Sequence, residues 1–295
     1  MVLKMEIAAI IVTYNPDIDV LSKLVSTLCK QVNRIIIVDN NSKNATDIIY
    51  SETKVTLIKK NINIGLAKAQ NIGISQVINV CSHVLIFDQD STIESDFVEK
   101  QLKCETELLE KNIKLSAVGP AFIDEDTKYE YPATVYKGPF IKHVDINDKP
   151  VKATFVIASG SLIRTSVLKD VGLMLDDFFI DFVDVEWCIR ANSKGYSCFI
   201  NPYVKMAHCI GERRIRFFGR MISMHSDFRK FYIYRNGIYM MRLSYVPLGY
   251  KLRVFVFNII RSMLGIIISA NKKQSIKATI SGWCSGFSTF SRTWR

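Results

Sequence analysis

Short apolar runs of strand length alternate with amphipathic stretches through the first two thirds of the chain. Residues 6–12 (Glu-Ile-Ala-Ala-Ile-Ile-Val) form the first run, closed by Thr13-Tyr14-Asn15-Pro16. Ile18, Leu21, Leu24, Val25 and Leu28 then recur at the spacing of one helix face, which predicts a helix over 17–30. A second strand over 34–38 ends on Asp39-Asn40-Asn41-Ser42, a short helix is expected over 47–50, and a third strand over 55–58. The second half of 61–74 reads as a helix. The fourth strand, 84–87, ends on Asp88-Gln89-Asp90-Ser91. Beyond it the pattern predicts a charged amphipathic helix over 95–111 and a strand over 115–118 broken by Gly119-Pro120. A loop-like stretch over 124–150 and a strand over 153–157 follow, and strands at 196–200 and 204–207 bracket Asn201-Pro202.

Strand and helix alternating on this scale is the pattern of parallel βαβ units. In such sheets ligands bind outside the carboxyl ends of the strands. The polar clusters at 13–15, 39–42 and 88–91 therefore face one crevice. Asp88 and Asp90 concentrate negative charge there, which a divalent cation carrying a phosphorylated ligand would relieve. The alternative is that both are turn residues ending a strand. A second acidic stretch, 178–190, sets Asp181, Asp184 and Glu186 among aromatic and aliphatic residues, where carboxylates are costly to bury. A helix starting at Val183 or Asp184 would place its positive end beside the carboxylate. The alternative is a solvated amphipathic helix start. His208 reads either as a satisfied structural residue or as a ligand.

The chain has 295 residues and is 48% hydrophobic, enough for a large core or a core with an appendage. Its seven cysteines form no Cys-x-x-Cys pair, which points to reduced core thiols of a cytosolic protein. The first apolar run is too short for a signal segment. Charge divides the chain. Residues 213–295 hold 16 Lys/Arg against one acid, Asp227, so the first 212 residues carry −4 of the total +11. Two parts follow from this, 1–212 and a basic extension, 213–295.

In that extension residues 253–270 are, after Arg253, apolar except for Asn258, Arg261, Ser262, Gly265 and Ser269, which fall on one helix face. The run is shorter than a span and carries Arg261 at its centre. It reads as an interfacial helix, with Lys251, Arg253, Lys272, Lys273 and Lys277 meeting anionic headgroups, or as a helix packed on the main domain. It is greasier than a nucleic-acid-binding face needs to be, so no nucleic-acid partner is expected.

Thr13-Tyr14-Asn15-Pro16, Asp39-Asn40-Asn41-Ser42, the segment 61–74, Asp88-Gln89-Asp90-Ser91, and Asp184 with Glu186-Trp187 and Arg190 occur in this order. Together they resemble the family-2 glycosyltransferases, and more narrowly the bacterial rhamnosyltransferases of O-antigen and related cell-surface polysaccharides. The resemblance covers roughly residues 6–240. It implies an α/β GT-A fold, a mostly parallel Rossmann-like sheet flanked by helices, with the basic helical extension appended.

The resemblance also implies roles. Thr13, Tyr14 and Asn15 would line the nucleotide pocket, and Asp39 would accept from the pyrimidine N3–H. Asn63, Gly65, Lys68 and Asn71 would surround ribose and diphosphate. Asp90 would hold Mg²⁺ or Mn²⁺, with Asp88 nearer the ribose and His208 completing the metal site. Asp184 would be the general base of an inverting displacement. Val183 stands where the wider family has Glu, and Glu186 where it has Asp. Glu186 therefore either shares base duty or binds the acceptor, and Arg190 is placed to hold it. The implied donor is dTDP-β-L-rhamnose, with UDP-galactofuranose the alternative. The implied acceptor is a polyprenyl-diphosphate-linked oligosaccharide, met by a peripheral enzyme on the cytoplasmic face of the inner membrane.

Two other classes fit less well. A nicotinamide dehydrogenase needs a glycine-rich turn after its first strand, and residues 13–16 contain no glycine. A non-catalytic membrane-binding protein would explain the tail and leave the carboxylates unexplained.

Overall fold

The computed structural model describes residues 5–48, 52–124, 127–207, 213–217, 220–224, 226–269 and 271–288. The first strand, β1 (Ile7–Thr13), leads through α1 (Ile18–Cys29) to β2 (Arg34–Asp39) and β3 (Val55–Lys59). Asp17 starts α1 by accepting from the amides of Asp19 and Val20, the usual N-terminal cap. Next come α2 (Leu66–Val77), β4 (His83–Asp88), α3 (Phe97–Glu110) and β5 (Leu115–Ile123). A hairpin of β6 (Ala133–Lys137) and β7 (Phe140–Val144) precedes β8 (Val151–Ala153), β9 (Ser161–Arg164) and α4 (Thr165–Val171). Then α5 (Val183–Ser193), β10 (Ser197–Ala207), β11 (Arg213–Phe217) and β12 (Arg220–Met224) lead to α6 (Asp227–Arg242), α7 (Leu248–Ile268) and α8 (Lys272–Ser288).

The eight-stranded sheet runs β3-β2-β1-β4-β9-β5-β10-β8. β1 pairs in parallel with β2 and β4, and β10 with β5, while β9 and β8 run antiparallel to their neighbours. Alternate residues of each interior strand serve opposite faces. Ala8 and Ile10 pack with Val84 and Ile86 on the α2 and α5 side, while Ala9 and Ile11 pack with Leu85 and Phe87 on the α1 side. Burial on both faces explains why these strands are continuously apolar.

Several local expectations change. Residues 47 and 48 lie in no helix, and 49–50 fall outside the described residues. The loop-like stretch holds the β6–β7 hairpin, and the strand expected at 153–157 lies at Val151–Ala153 instead. Asn201-Pro202 does not separate two strands: β10 passes through it with a register shift between Asn201 and Lys205. A bulge lets proline sit in a ladder without a missing donor.

The core continues past residue 212. Tyr239, Met240 and Leu243 of α6 and its exit, with Tyr250 and Val254 of α7, join the same cluster as Trp187 and Ile189 of α5. In α7 the amphipathic sense is reversed. Tyr250, Val254, Asn258 and Ser262 are buried, and Asn258 Nδ2 donates to the Tyr234 carbonyl at 3.1 Å. The apolar side chains Leu252, Val256, Ile260, Met263 and Ile267 are exposed, from 42% to 67%. Close approach of α6 puts Asn258 there: a Cβ on Gly237 would lie 2.3 Å from its amide nitrogen.

Candidate active site

The carboxyl ends of β1, β2 and β4 are tied into one rim by their own polar residues. Thr13 Oγ1 donates to Asp39 Oδ1 at 2.9 Å, and Ser42 donates its amide to Asp39 Oδ2 at 3.0 Å and its hydroxyl to Oδ1. The Asn15 amide donates to Ser42 Oγ, and the Tyr14 amide to Gln89 Oε1 at 2.7 Å. Asn40 Nδ2 donates to Asn63 Oδ1, which also accepts from the Gly65 amide. Thr13 and Asp39 are wholly buried behind this rim, whereas Tyr14, Asn15 and Lys68 are exposed on it.

Gly65 stands before α2 at φ +86°, and a Cβ there would lie 2.5 Å from the Phe179 ring. Only glycine permits that approach without strain. Asn71 bonds to the segment ahead of α5. Its amide nitrogen donates to the Met174 carbonyl and to Asp176 Oδ1, both at 2.7 Å, and its oxygen accepts from the Met174 amide. It clamps α2 to the segment ahead of α5.

Asp88 ends β4. Its amide donates to Ser159 Oγ at 3.1 Å, and Ser159 also bonds the Ser91 hydroxyl at 2.7 Å. Burial, then the charges of Asp90 and Asp184, push the Asp88 carboxyl up to about 7, against the pull of Arg229. The acidic strand end and the acidic helix start, almost a hundred residues apart in the chain, therefore lie within electrostatic reach of one another. Asp184 sits in the first turn of α5, partly buried, accepting from the Ala158 amide at 3.3 Å and the Val185 amide at 2.8 Å. Burial raises its pKa, those amides lower it, and nearby Asp181 raises it; the net shift is upward.

Glu186 is placed differently. It is wholly buried, and Arg190 grips it in a fork at 2.7 and 3.0 Å while Tyr245 donates its hydroxyl to the same carboxylate. Arg190 also donates to the carbonyls of Val171 and Leu173. His208 lies outside the described residues. Among the described residues no group of three His, Cys, Asp or Glu side chains is placed to share a metal ion. Asp88 and Asp90 nonetheless fit a hydrated divalent cation, which needs one or two carboxylates beside substrate phosphates. The mutual repulsion that lifts Asp88 is the charge such an ion would neutralise.

Several site residues escape a reading of the sequence. Asp181 and Phe182 have φ of +63° and +65°, and Phe179 +59°, conformations costly for side-chain-bearing residues. Helix α6 holds this segment. Asn236 Nδ2 donates to the carbonyls of Phe178, Ile180 and Asp181, Arg229 pairs with Asp181, and Tyr232 stacks on Phe179 at 4.6 Å. The one advance signal was Asp181 itself, whose burial among aromatics required a partner.

Comparison with known proteins agrees with this architecture. The structure of GalNAc-T7 with UDP, GalNAc and Mn²⁺ superposes with TM-score 0.57 at 14% identity over 86% of this chain and 54% of that one, so this chain spans about half of it. Staphylococcus aureus TarS 1–349 in complex with UDP-GlcNAc gives 0.56 at 14% identity, over 94% of this chain and 81% of that one. The fold is GT-A. The model of glycosyl transferase family 2 matches residues 8–172, and the dTDP-rhamnosyl transferase RfbF of Shigella flexneri is 36% identical over 285 residues, 94% of this chain and 95% of that protein. The chain belongs to glycosyltransferase family 2.

Proposed function

We propose that the protein transfers L-rhamnose from dTDP-β-L-rhamnose, with inversion, to a polyprenyl-diphosphate-linked oligosaccharide at the cytoplasmic face of the inner membrane, as in O-antigen assembly. The observation that carries the reaction type is the meeting of Asp88 and Asp90 with Asp184 at one end of the sheet. The donor assignment draws support from likeness to a dTDP-rhamnosyl transferase along nearly the whole chain. It is tested by incubating the protein with a panel of nucleotide sugars, where consumption of UDP-galactofuranose in place of dTDP-rhamnose would overturn it.

The exposed Tyr14 and Asn15 meet the nucleotide base, and the buried Thr13–Asp39 pair braces the pocket wall behind them. Gly65 lets backbone approach the diphosphate, with Lys68 and Asn63 beside it. Asp184 takes the proton of the acceptor hydroxyl as that oxygen attacks the anomeric carbon. The bond to the diphosphate breaks on the opposite face, so the configuration inverts and a single base suffices. Asp90, with Asp88 and His208, would hold Mg²⁺ or Mn²⁺, which when bound supplies positive charge to the leaving diphosphate. Asp90→Ala is expected to weaken both divalent-cation and dTDP binding by roughly tenfold or more, read by calorimetry. Equal affinities in variant and native protein would remove Asp90 from this role.

No helix among the described residues is long and apolar enough to cross a membrane. The outward apolar face of α7, with exposed Arg261, Lys272, Lys273 and Lys277 nearby, suits the surface of an anionic bilayer. Because Tyr250 and Val254 are core residues, truncation at 250 would damage the fold, so substitutions on the outer face are the cleaner test. Leu252→Glu with Ile260→Glu is expected to leave the melting temperature unchanged and move the protein from anionic vesicles to the supernatant in flotation. Unchanged vesicle binding would exclude this face.

A further inference from the structure

The first two turns of α6 bear on the acidic crevice through three independent observations. Phe179, whose ring a Cβ on Gly65 would meet at 2.5 Å, stacks on Tyr232 with ring centroids 4.6 Å apart and lies edge-on to Phe228 at 6.1 Å. The backbone turn assigned to the diphosphate therefore rests on α6 through one ring. Arg229 stands between those two aromatics in the sequence, and its guanidinium grips Asp181, Nη2 to Oδ1 at 2.5 Å and Nε to Oδ2 at 3.3 Å. Its charge also reaches Asp88, where it eases the repulsion from Asp90 and Asp184. One cation is thus placed among the diphosphate turn, the acidic strand end and the segment that leads into α5. The need for it is electrostatic, because Asp88, Asp90, Asp181 and Asp184 would together repel an incoming diphosphate.

We propose that Arg229 is a further catalytic residue, which exchanges Asp181 for the diphosphate of the bound nucleotide sugar and stabilises that group as it leaves. This rests on the reading of the protein as a nucleotide-sugar transferase. The pair with Asp181 is open enough to exchange: Arg229 is 32% exposed and Asp181 14%, against 6% and 0% for the sealed Arg190–Glu186 pair. Partly solvated ion pairs hold weakly, and the planar fork that fits a carboxylate fits phosphate oxygens equally well. The segment before α5 keeps its other tether during the exchange, since Asn236 still donates to the carbonyls of Phe178, Ile180 and Asp181. As the bond from the anomeric carbon to the diphosphate oxygen breaks, its electron pair stays with that oxygen. Guanidinium N–H groups donate to the charge that grows there, and no proton moves. Donors aimed at charge that develops in the transition state raise the rate as well as the affinity.

Arg229→Gln and Asp181→Asn break the same ion pair from its two ends, so comparing them separates the roles. Measured for each are dTDP affinity by calorimetry, thymidine binding by ligand-detected NMR, and the single-turnover transfer rate. In Arg229→Gln, dTDP affinity is expected to fall roughly tenfold or more and transfer by roughly 10², with thymidine binding unchanged. In Asp181→Asn, where the guanidinium keeps its charge and loses a competing carboxylate, dTDP affinity is expected to equal or exceed the native value. Equal dTDP affinity and rate in Arg229→Gln and the native protein would overturn the proposal. Matching losses in the two variants, with thymidine binding falling alongside dTDP, would overturn it equally, making Arg229 only a strut for the segment before α5. The two readings fail separately: a native protein that binds neither dTDP nor UDP sinks the nucleotide-sugar reading, whereas native dTDP binding left unaltered in Arg229→Gln sinks only this one.

Discussion

Asp184→Asn is expected to bind the dTDP-sugar as the native enzyme does and to lose transfer by a factor of roughly 10²–10⁴, the contribution of a general base. The substitution is nearly isosteric. The asparagine oxygen can still accept from one of the two amides, Ala158 or Val185, that the carboxylate serves. What disappears is the lone pair able to take a proton. The native pH profile carries a second mark of the same group. Burial raises the Asp184 pKa, and a base works only when deprotonated, so activity falls as pH drops through that raised value. The acid limb should therefore lie above the ordinary aspartate value of about 4. Transfer retained in Asp184→Asn, measured in single turnovers, would hand the base role to another carboxylate.

Arg190→Ala is expected to act on the fold before it acts on chemistry. The guanidinium and the Glu186 carboxylate are 6% and 0% exposed, and the same guanidinium satisfies the carbonyls of Val171 and Leu173. Removing it strands a buried charge, a loss of about 3–5 kcal/mol, which in a chain of this size lowers the melting temperature by roughly 10 °C. Arg190→Lys should recover little, because an ammonium cannot bridge a carboxylate and two carbonyls in one plane. A thermal melt of the two variants decides the matter, and a shift of only a degree or two would mean the pair holds nothing. The companion substitution Glu186→Gln separates the two readings of that residue. A structural Glu186 loses stability while each folded molecule still transfers sugar; a Glu186 sharing base duty loses transfer while remaining stable.

The catalytic half of the chain was legible because its signals are local. A strand buried on both faces must be continuously apolar, and the polar cluster that ends it must lie at the sheet rim. Residues 13–15, 39–42 and 88–91 are therefore placed by their own neighbours. The amphipathic periods of α1 and α3 follow from the same rule. The β6–β7 hairpin is less legible, since its strands are short and half-exposed and lack the alternation that a buried face imposes. Asn71 matches a ligand-binding motif, and the structure adds what the motif does not show, its amide bonded to the backbone at Met174. At Glu186 the sequence left base, acceptor and salt-bridge roles open, and burial of the Arg190 pair favours the last.

By itself, then, the sequence determined which residues carry charge at strand ends, that the sheet is mostly parallel, and that the tail is basic with a two-faced helix. Only the tertiary structure decided which way that helix turns. Asn258 and Ser262 face inward because α6 and α8 offer the Tyr234 carbonyl and the Trp283 indole N–H as partners. The energies of those buried bonds depend on helices distant in the chain, and no hydrophobic period encodes them. The left-handed segment before α5 is of the same kind. Its strain is held by Asn236 and Arg229 from more than forty residues away, and it leads directly into the first turn of α5, which carries Asp184.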